Sequence, residues 1–584
     1  MDPALSSDGK LLAFASDRAA GDNLDIWVKQ VGGSEALRLM THEADDHEPD
    51  FSPDGQHIAF RSERDGGGIY VVPTLGGDAR RIADGGRRPR FSPDGKWIAY
   101  WTGDVGQDFG VAGGSKVYVV PSSGGPARLV QTNVIAARFP VWSPDGTRLL
   151  LYGITEFKGQ AAETDDWWVV PVEGGPAIRT GVFDLFRRLK MTPGSDASGY
   201  RATQTPSAWT ADNHVVFSGA LGDATNVWQL PISPQTYQAT SNPERLTTGT
   251  GLEVFPALAG GQGRPLRLAF ASMNENIDVW SLPFQGDDGV NQGKVTGELR
   301  RLTQDAAPDI MPGLTRDGKT LVFGSSRLGN FDIWTKDLTS GKETALASTP
   351  LHEWRPTLSA DGSTLAYQVV ENKKETIHVS VRGGPARKVC VDGCYMPWDL
   401  SSDGRKMLFW ETLQRSIGVI DVASGAKTHF LQHPDFSILG SNFSPDNQWV
   451  GFIAVDQSNK VRMFITPFRE SSSPDRNEWI EATTEDAAFQ REGVVGDDRP
   501  HWSPDGNLIY FSSDRDGFQC LWAQRLDPKT KTPVGSPFSV YHLHSARRSL
   551  GNVVVFFQEI SVAKDKIVFP LNERTANIWM IERQ

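Results

Sequence analysis

The tetrapeptide Ser-Pro-Asp-Gly stands four times in this chain, at 52–55, 92–95, 143–146 and 503–506, each time inside the same surrounding pattern. Looser copies are Ser7-Asp8-Gly9, Ala211-Asp212-Asn213, Arg316-Asp317-Gly318, Ala360-Asp361-Gly362, Ser402-Asp403-Gly404 and Pro445-Asp446-Asn447. The tightest spacings of the recurring Asp are 40, 42, 43, 44 and 46 residues. A unit of this length that reads only as strand and turn cannot bury its apolar faces alone, so it must stack on copies of itself.

Residues 89–130 show what one unit does. Arg90-Phe91 ends a first strand, and Ser92-Pro93-Asp94-Gly95 makes a tight turn. There Pro presets φ, Asp bonds nearby backbone and Gly accepts the left-handed region. Trp97–Trp101, Val117–Val120 and Ala127–Val130 supply three more strands. Four antiparallel strands per unit describe a β-propeller blade. The third strand carries an apolar–aromatic pair in most units, including Ile26-Trp27, Val227-Trp228, Val279-Trp280, Ile333-Trp334 and Ile578-Trp579. Such strands lack apolar–polar alternation because both faces are covered by neighbouring blades.

Ten units carry the Asp, and two degenerate ones, around Leu266–Trp280 and Lys566–Trp579, bring the total to twelve. Single rings hold about 4–8 blades. The expected fold class is therefore all-β, with two tandem β-propellers of six four-stranded blades each, over 1–304 and 305–584. A seven-plus-five division and a nested arrangement in which the terminal blades share a ring remain open. Insertions near 153–166, 183–204, 232–244 and 471–495 are expected to be surface loops. The first unit starts at Asp2-Pro3 and the last stops after its third strand, so a closing strand is expected from chain preceding residue 2.

A formal net charge of −12 argues against nucleic acid as a partner. No apolar run of 18 residues exists, so membrane insertion by this chain is not expected. The three cysteines, Cys390, Cys394 and Cys520, form no zinc pattern, and they neither require nor exclude an oxidising compartment. No cofactor motif is present.

The fullest units, 49–82 and 500–526, read Pro-x-Phe/Trp-Ser-Pro-Asp-Gly-x-x-Ile-Ala-Phe-x-Ser-x-Arg-Asp-Gly followed by Ile-Tyr/Trp-Val, Gly-Gly and Arg-Leu-Thr. This resembles the TolB-like, WD-repeat-like propeller family over essentially the whole chain. The tandem arrangement is similar to the C-terminal sensor region of bacterial proteins that carry a Ser/Thr kinase or a winged-helix regulator in front. The resemblance implies a scaffold, peptide gate or ligand sensor, and it leans towards the periplasm.

Residues just before the recurring Pro are expected to face the channel mouth. They include Arg87, Arg88 and Arg138 in the first ring and Trp354, Arg355, Tyr395 and Arg499 in the second, with Trp398 nearby. Guanidinium groups there suit a carboxylate or phosphate, and the aromatics suit a peptide. The expected function is non-enzymatic binding of a protein segment or a small anionic ligand. The bland reading is that these arginines pair with acids on adjacent blades. The alternative is a propeller enzyme, a metal-assisted lyase or hydrolase, with His42, His47 and Glu48 as ligand candidates. His542-Leu543-His544 is a second candidate pair. Asp108-Phe109-Gly110 matches a kinase magnesium motif by chance, since no phosphate loop or catalytic loop accompanies it. No Gly-x-Ser-x-Gly elbow occurs.

Overall fold

The structure, a computed structural model, describes residues 2–583 except 20–22, 104–114, 131, 156–164, 192–203, 223, 262–263, 284–294, 372–373, 392, 412–414, 457–460, 471–472, 484–497, 514, 516–518, 544–546, 551–552 and 554–557. Asp108-Phe109-Gly110 and His544 lie outside the described residues.

The chain is almost entirely β and folds as tandem propellers built from four-stranded antiparallel sheets. The first sheet sets the pattern: β1 (Pro3–Leu5), β2 (Leu11–Ser16), β3 (Asp25–Gln30) and β4 (Ala36–Arg38) pair in that order. The anchor Asp shapes the turn between the first two strands. Ser6 Oγ donates to Asp8 at 2.7 Å and accepts the Leu11 N–H at 2.9 Å, while Lys10 N–H donates to Asp8 at 3.0 Å. Gly9 takes φ +69° to complete it. The same contacts recur at Asp54, Asp94, Asp145 and Asp361. Asn213 and Asn447 replace Gly at φ +60° and +57°, a conformation Asn tolerates better than most side chains.

Two compact units result. The first comprises Met1–Glu275, His544–Arg548 and Arg574–Gln584; the second comprises Asn276–Leu543 and Ser549–Glu573. The division therefore differs from a single cut at 304/305, and the C-terminal residues return to the first unit. The physical reason is continuity of strand: Arg264–Pro283 and Lys566–Arg583 are each one long strand, and the chain changes unit inside both.

Within the first unit the innermost strands Pro3–Leu5, Asp46–Phe51, Arg87–Phe91, Ala136–Trp142, Pro206–Trp209 and Leu252–Gly261 neighbour one another in sequence, and the last lies against the first. Within the second, Asp309–Leu314, His352–Leu358, Pro397–Leu400, Phe436–Phe443, His501–Trp502 and Ser561–Val562 do the same. The core lies between neighbouring sheets. Trp101 packs on Phe139 with ring centroids 5.4 Å apart, and the Trp142 indole N–H donates to the Arg90 carbonyl at 2.9 Å.

The insertion expected as a loop at 183–204 starts instead with a short helix, Val182–Arg188. Its Phe186 is buried against Trp167 and Phe217 at 5.6 and 5.0 Å. The apolar residues Val182, Phe183, Leu185 and Phe186 give it a buried face, which the charged flanks had obscured.

Candidate functional site

Several innermost strands bulge at the recurring Pro, and there the residue before the Pro adopts an unusual backbone. Glu48, Arg88, Phe139, Phe255, Met311 and Arg355 all have φ between +49° and +56°. The register of the paired strands shifts at the same points. A bulge re-aims one side chain, here towards the middle of the unit. Counting back six residues from the anchor Asp gives Asp2, Glu48, Arg88 and Phe139 in the first unit, and Met311, Arg355, Gly440 and Arg499 in the second.

In the first unit these central charges neutralise one another. The Arg88 backbone N–H donates to Glu48 at 2.7 Å, and its guanidinium lies 3.3 Å from Asp2 and 3.8 Å from the other Glu48 oxygen. It also stacks over Phe255 at 4.1 Å. Burial pushes the Asp2 and Glu48 carboxyls up, but the charges around them, Arg88 prominent among them, outweigh it and hold both below their usual range. Arg90 pairs with Asp50 at 3.2 Å. Arg138 donates to Ser115 Oγ at 3.0 Å and lies over Trp101. Arg87 is half-buried at the start of its strand.

The proposed metal ligands diverge. His47 Nε2 bonds Glu63 at 3.1 Å, exposed His42 accepts the Ala44 N–H at 3.0 Å, and Glu48 faces Arg88. Burial opposes the charged form of His47, but the Glu63 hydrogen bond and the Glu48 charge outweigh it and raise its pKa. Among the described residues no three His, Cys, Asp or Glu side chains converge as metal ligands.

The second unit is different. A cavity of about 130 Å³ opens at its centre, lined by Met311, Arg355, Trp398, Asp399, Asn442 and Glu559 among others. Arg499 pairs with Glu559 at 2.8 Å, and the Arg499 and Arg355 guanidiniums lie over Trp398 at 4.9 and 5.6 Å. Burial, and then the Arg499 charge, push Arg355 down to about 10 against the pull of Glu559. Burial raises the Glu559 carboxyl although Arg499 and Arg355 both oppose it. Burial pushes Asp399 up to about 7, against the hydrogen bonds from the Phe443 and Leu400 N–H groups at 2.8 and 2.9 Å. His501, 3.9 Å from Glu559, is held well below its usual range by burial and then by Arg499, so it is neutral.

Two guanidiniums thus share Glu559, with Asp399 close to half-protonated at neutral pH. The Trp398 indole N–H and the Asn442 side-chain oxygen, both on this wall, have no hydrogen-bond partner among the described residues.

Of the residues expected from sequence, the second unit brings Arg355, Trp398 and Arg499 together. Trp354 turns aside to stack on Phe331 at 5.9 Å, and Tyr395 packs edge-on against Trp410 at 5.3 Å. Glu559 and Asp399 were missed. Glu559 had a signal: it stands six residues before Asp565, the same interval that separates Arg499 from Asp505 and Arg355 from Asp361. Asp399 sits four residues before Asp403, as Asp50 does before Asp54, and both accept a backbone N–H from the next inner strand.

Residues 1–113 match the profile of the TolB beta propeller domain. A 106-residue stretch is 30% identical to the uncharacterized peptidase YuxL of Bacillus subtilis (strain 168), covering 17% of this chain and 16% of that protein. A 79-residue stretch is 35% identical to tricorn protease homolog 1 of Streptomyces coelicolor, covering 13% of this chain and 7% of that protein. The matches therefore span a small part of either relative's length. Among solved structures, TolB from Acinetobacter baumannii aligns with 65% of this chain and 85% of its own at 12% identity and a TM-score of 0.34. The tricorn protease aligns with 92% of this chain and 62% of its own at 13% identity and a TM-score of 0.32.

Proposed function

We propose that this chain, whose residues 1–113 match the TolB beta propeller domain, is a non-enzymatic binding module of the TolB-like β-propeller family whose second unit takes a carboxylate at the Arg355 cavity. The ligand is a small organic acid or the carboxylate of a peptide segment. The observation that carries the reading is the convergence of two buried guanidiniums, Arg355 and Arg499, over Trp398 at the wall of the cavity. A guanidinium fork matches a carboxylate with two parallel hydrogen bonds, and burial strengthens them. The apolar walls from Met311 and Trp398 suit the carbon skeleton of such a ligand.

The module serves as the sensor or scaffold part of a larger bacterial protein and works in the periplasm. The bond between Cys390 and Cys394 supports an oxidising compartment. Maleimide labelling of the denatured protein taken directly from cells, without reductant, should then modify Cys520 alone.

Equilibrium dialysis with radiolabelled acetate tests the binding reading. Wild-type protein should bind saturably, and Arg355→Met should lose at least about tenfold in affinity, as loss of a charge-assisted pair implies. Equal retention by both proteins would reject it.

A further inference from the structure

Two residues before a third-strand Trp stand Asp25, Asp166, Asn226, Asp278 and Asp332. At the first four of these sites the fourth strand sets an Arg directly opposite the aromatic, at Trp27↔Arg38, Trp168↔Arg179, Trp228↔Arg245 and Trp280↔Arg301. That Arg returns to the polar residue. Arg38 meets Asp25 at 2.6 Å, Arg179 meets Asp166 at 2.7 Å, Arg301 pairs with Asp278, and Arg245 bonds Asn226. Opposite Trp334 the chain has Ala345.

A second acid joins from the innermost strand of the following sheet. The Asp46 N–H donates to the Leu24 carbonyl at 2.7 Å, which brings it beside Asp25. The Glu353 N–H donates to the Phe331 carbonyl at 2.8 Å, beside Asp332. At the Asn226 site the two side chains touch, and Asn226 donates to Glu253 at 2.7 Å. Where both residues are Asp, a second Arg arrives from ten residues after the anchor Asp. Arg64 pairs with Asp46 at 2.7 Å, and Arg327 with Asp309 at 3.1 Å. The same position in the sheet of Glu353 is Glu371.

Charge is therefore matched two against two at Asp25 and Asp46, and again at Asp278 and Asp309. At Asp332 and Glu353 both arginines are replaced. Asp332 is fully buried, and neither of its carboxylate oxygens has a hydrogen-bond partner among the described residues. Glu353 is also buried and accepts the Thr349 hydroxyl. Burial pushes the Glu353 carboxyl up, and the Asp332 charge adds to this against the Thr349 hydrogen bonds. Two buried carboxylates need a compensating cation.

We propose that Asp332 and Glu353 bind a divalent cation of the calcium class in place of the two guanidiniums. The donors are oxygens, two carboxylates and the Thr349 hydroxyl, which suit calcium rather than zinc. The ion's two charges equal those of the arginine pair. It ties two successive sheets of the second unit at the start of His352–Leu358, the strand that also carries Arg355. Calcium binding here does not depend on what the Arg355 cavity takes.

The test uses the whole chain, stripped with EDTA and dialysed. Isothermal titration with calcium chloride should show one saturable site, and saturating calcium should raise the thermal midpoint by about 2 °C or more. Asp332→Asn copies the Asn226–Glu253 arrangement, so it keeps the fold, and circular dichroism checks that. It should weaken calcium binding by about tenfold or more, because ligand charge sets such affinities. Ala345→Arg copies Arg301 opposite Trp280. It should weaken calcium binding likewise and raise the calcium-free midpoint. Absence of saturable calcium binding, or wild-type affinity in both variants, overturns the proposal. So does a midpoint that ignores calcium but climbs as pH falls through the carboxyl range in wild type and not in Asp332→Asn, because a shared proton would then be the occupant.

Discussion

Arg499 and Glu559 meet at 2.8 Å in the middle of the second unit, and the Glu559 charge also acts on Arg355. Two buried guanidiniums converging on one carboxylate make this centre electrostatically unlike that of the first unit, where Arg88 serves two carboxylates. Removing Glu559 takes away the ion-pair partner of Arg499 and one of the acids acting on Arg355. Glu559→Gln should cost about 3–5 kcal/mol, the usual penalty for stranding a buried charge. Added acetate or phosphate should recover part of the loss, read as a rise in the thermal midpoint of the variant larger than that of wild type.

The first unit makes the opposite prediction. Arg88 holds Glu48 and Asp2 together in a buried cluster. Arg88→Met leaves two carboxylates without that guanidinium and should destabilise by about 3–5 kcal/mol in urea unfolding, while acetate affinity stays as in wild type.

Asp399 sets a pH dependence. Its folded-state pKa of about 7 lies above the ordinary carboxyl range. As pH rises through 7 the folded protein gains a buried negative charge that the unfolded chain already carries at lower pH. Stability from this group is therefore greatest below the ordinary Asp range and falls as pH rises to about 7. The same ionisation adds a negative charge to the cavity wall beside Arg355. Acetate should bind more tightly at about pH 6 than at about pH 8, and Asp399→Asn should flatten that difference. His501 is held neutral across this range, and Glu559 is the other acid whose titration the profile must separate.

The turn anchor is a local device. Ser143 Oγ and the Thr147 N–H both donate to Asp145, and these bonds hold its carboxyl below the usual range. Asp145→Ala should cost about 1–3 kcal/mol, the range for hydrogen bonds to a charged group. It should leave acetate binding untouched. Gly146→Ala, at φ +70°, should cost about 1–2 kcal/mol for the left-handed backbone.

The repeat made the sheets legible because Ser-Pro-Asp-Gly and the third-strand aromatic both report local geometry. Strand ends and turns near Asp54, Asp94 and Asp505 followed directly. The division of the chain was less legible. A hydrophobic strand that crosses from one compact unit to the other, as Arg264–Pro283 does, carries no local mark of the crossing. The central arginines could be named from their interval to Asp, but whether each meets an acid depends on side chains a whole blade away. Arg88 finds Glu48 40 residues earlier, and Arg499 finds Glu559 60 residues later. Glu559 escaped notice because Lys564-Asp565-Lys566 replaces Pro-Asp-Gly, and only the six-residue interval survives.

Isothermal titration of acetate at about pH 6 into wild type, Arg355→Met and Arg88→Met addresses the central claim most directly. A carboxylate site at the second unit's cavity predicts saturable heat in wild type and Arg88→Met and its loss in Arg355→Met. Heat that survives in Arg355→Met and disappears in Arg88→Met would contradict it.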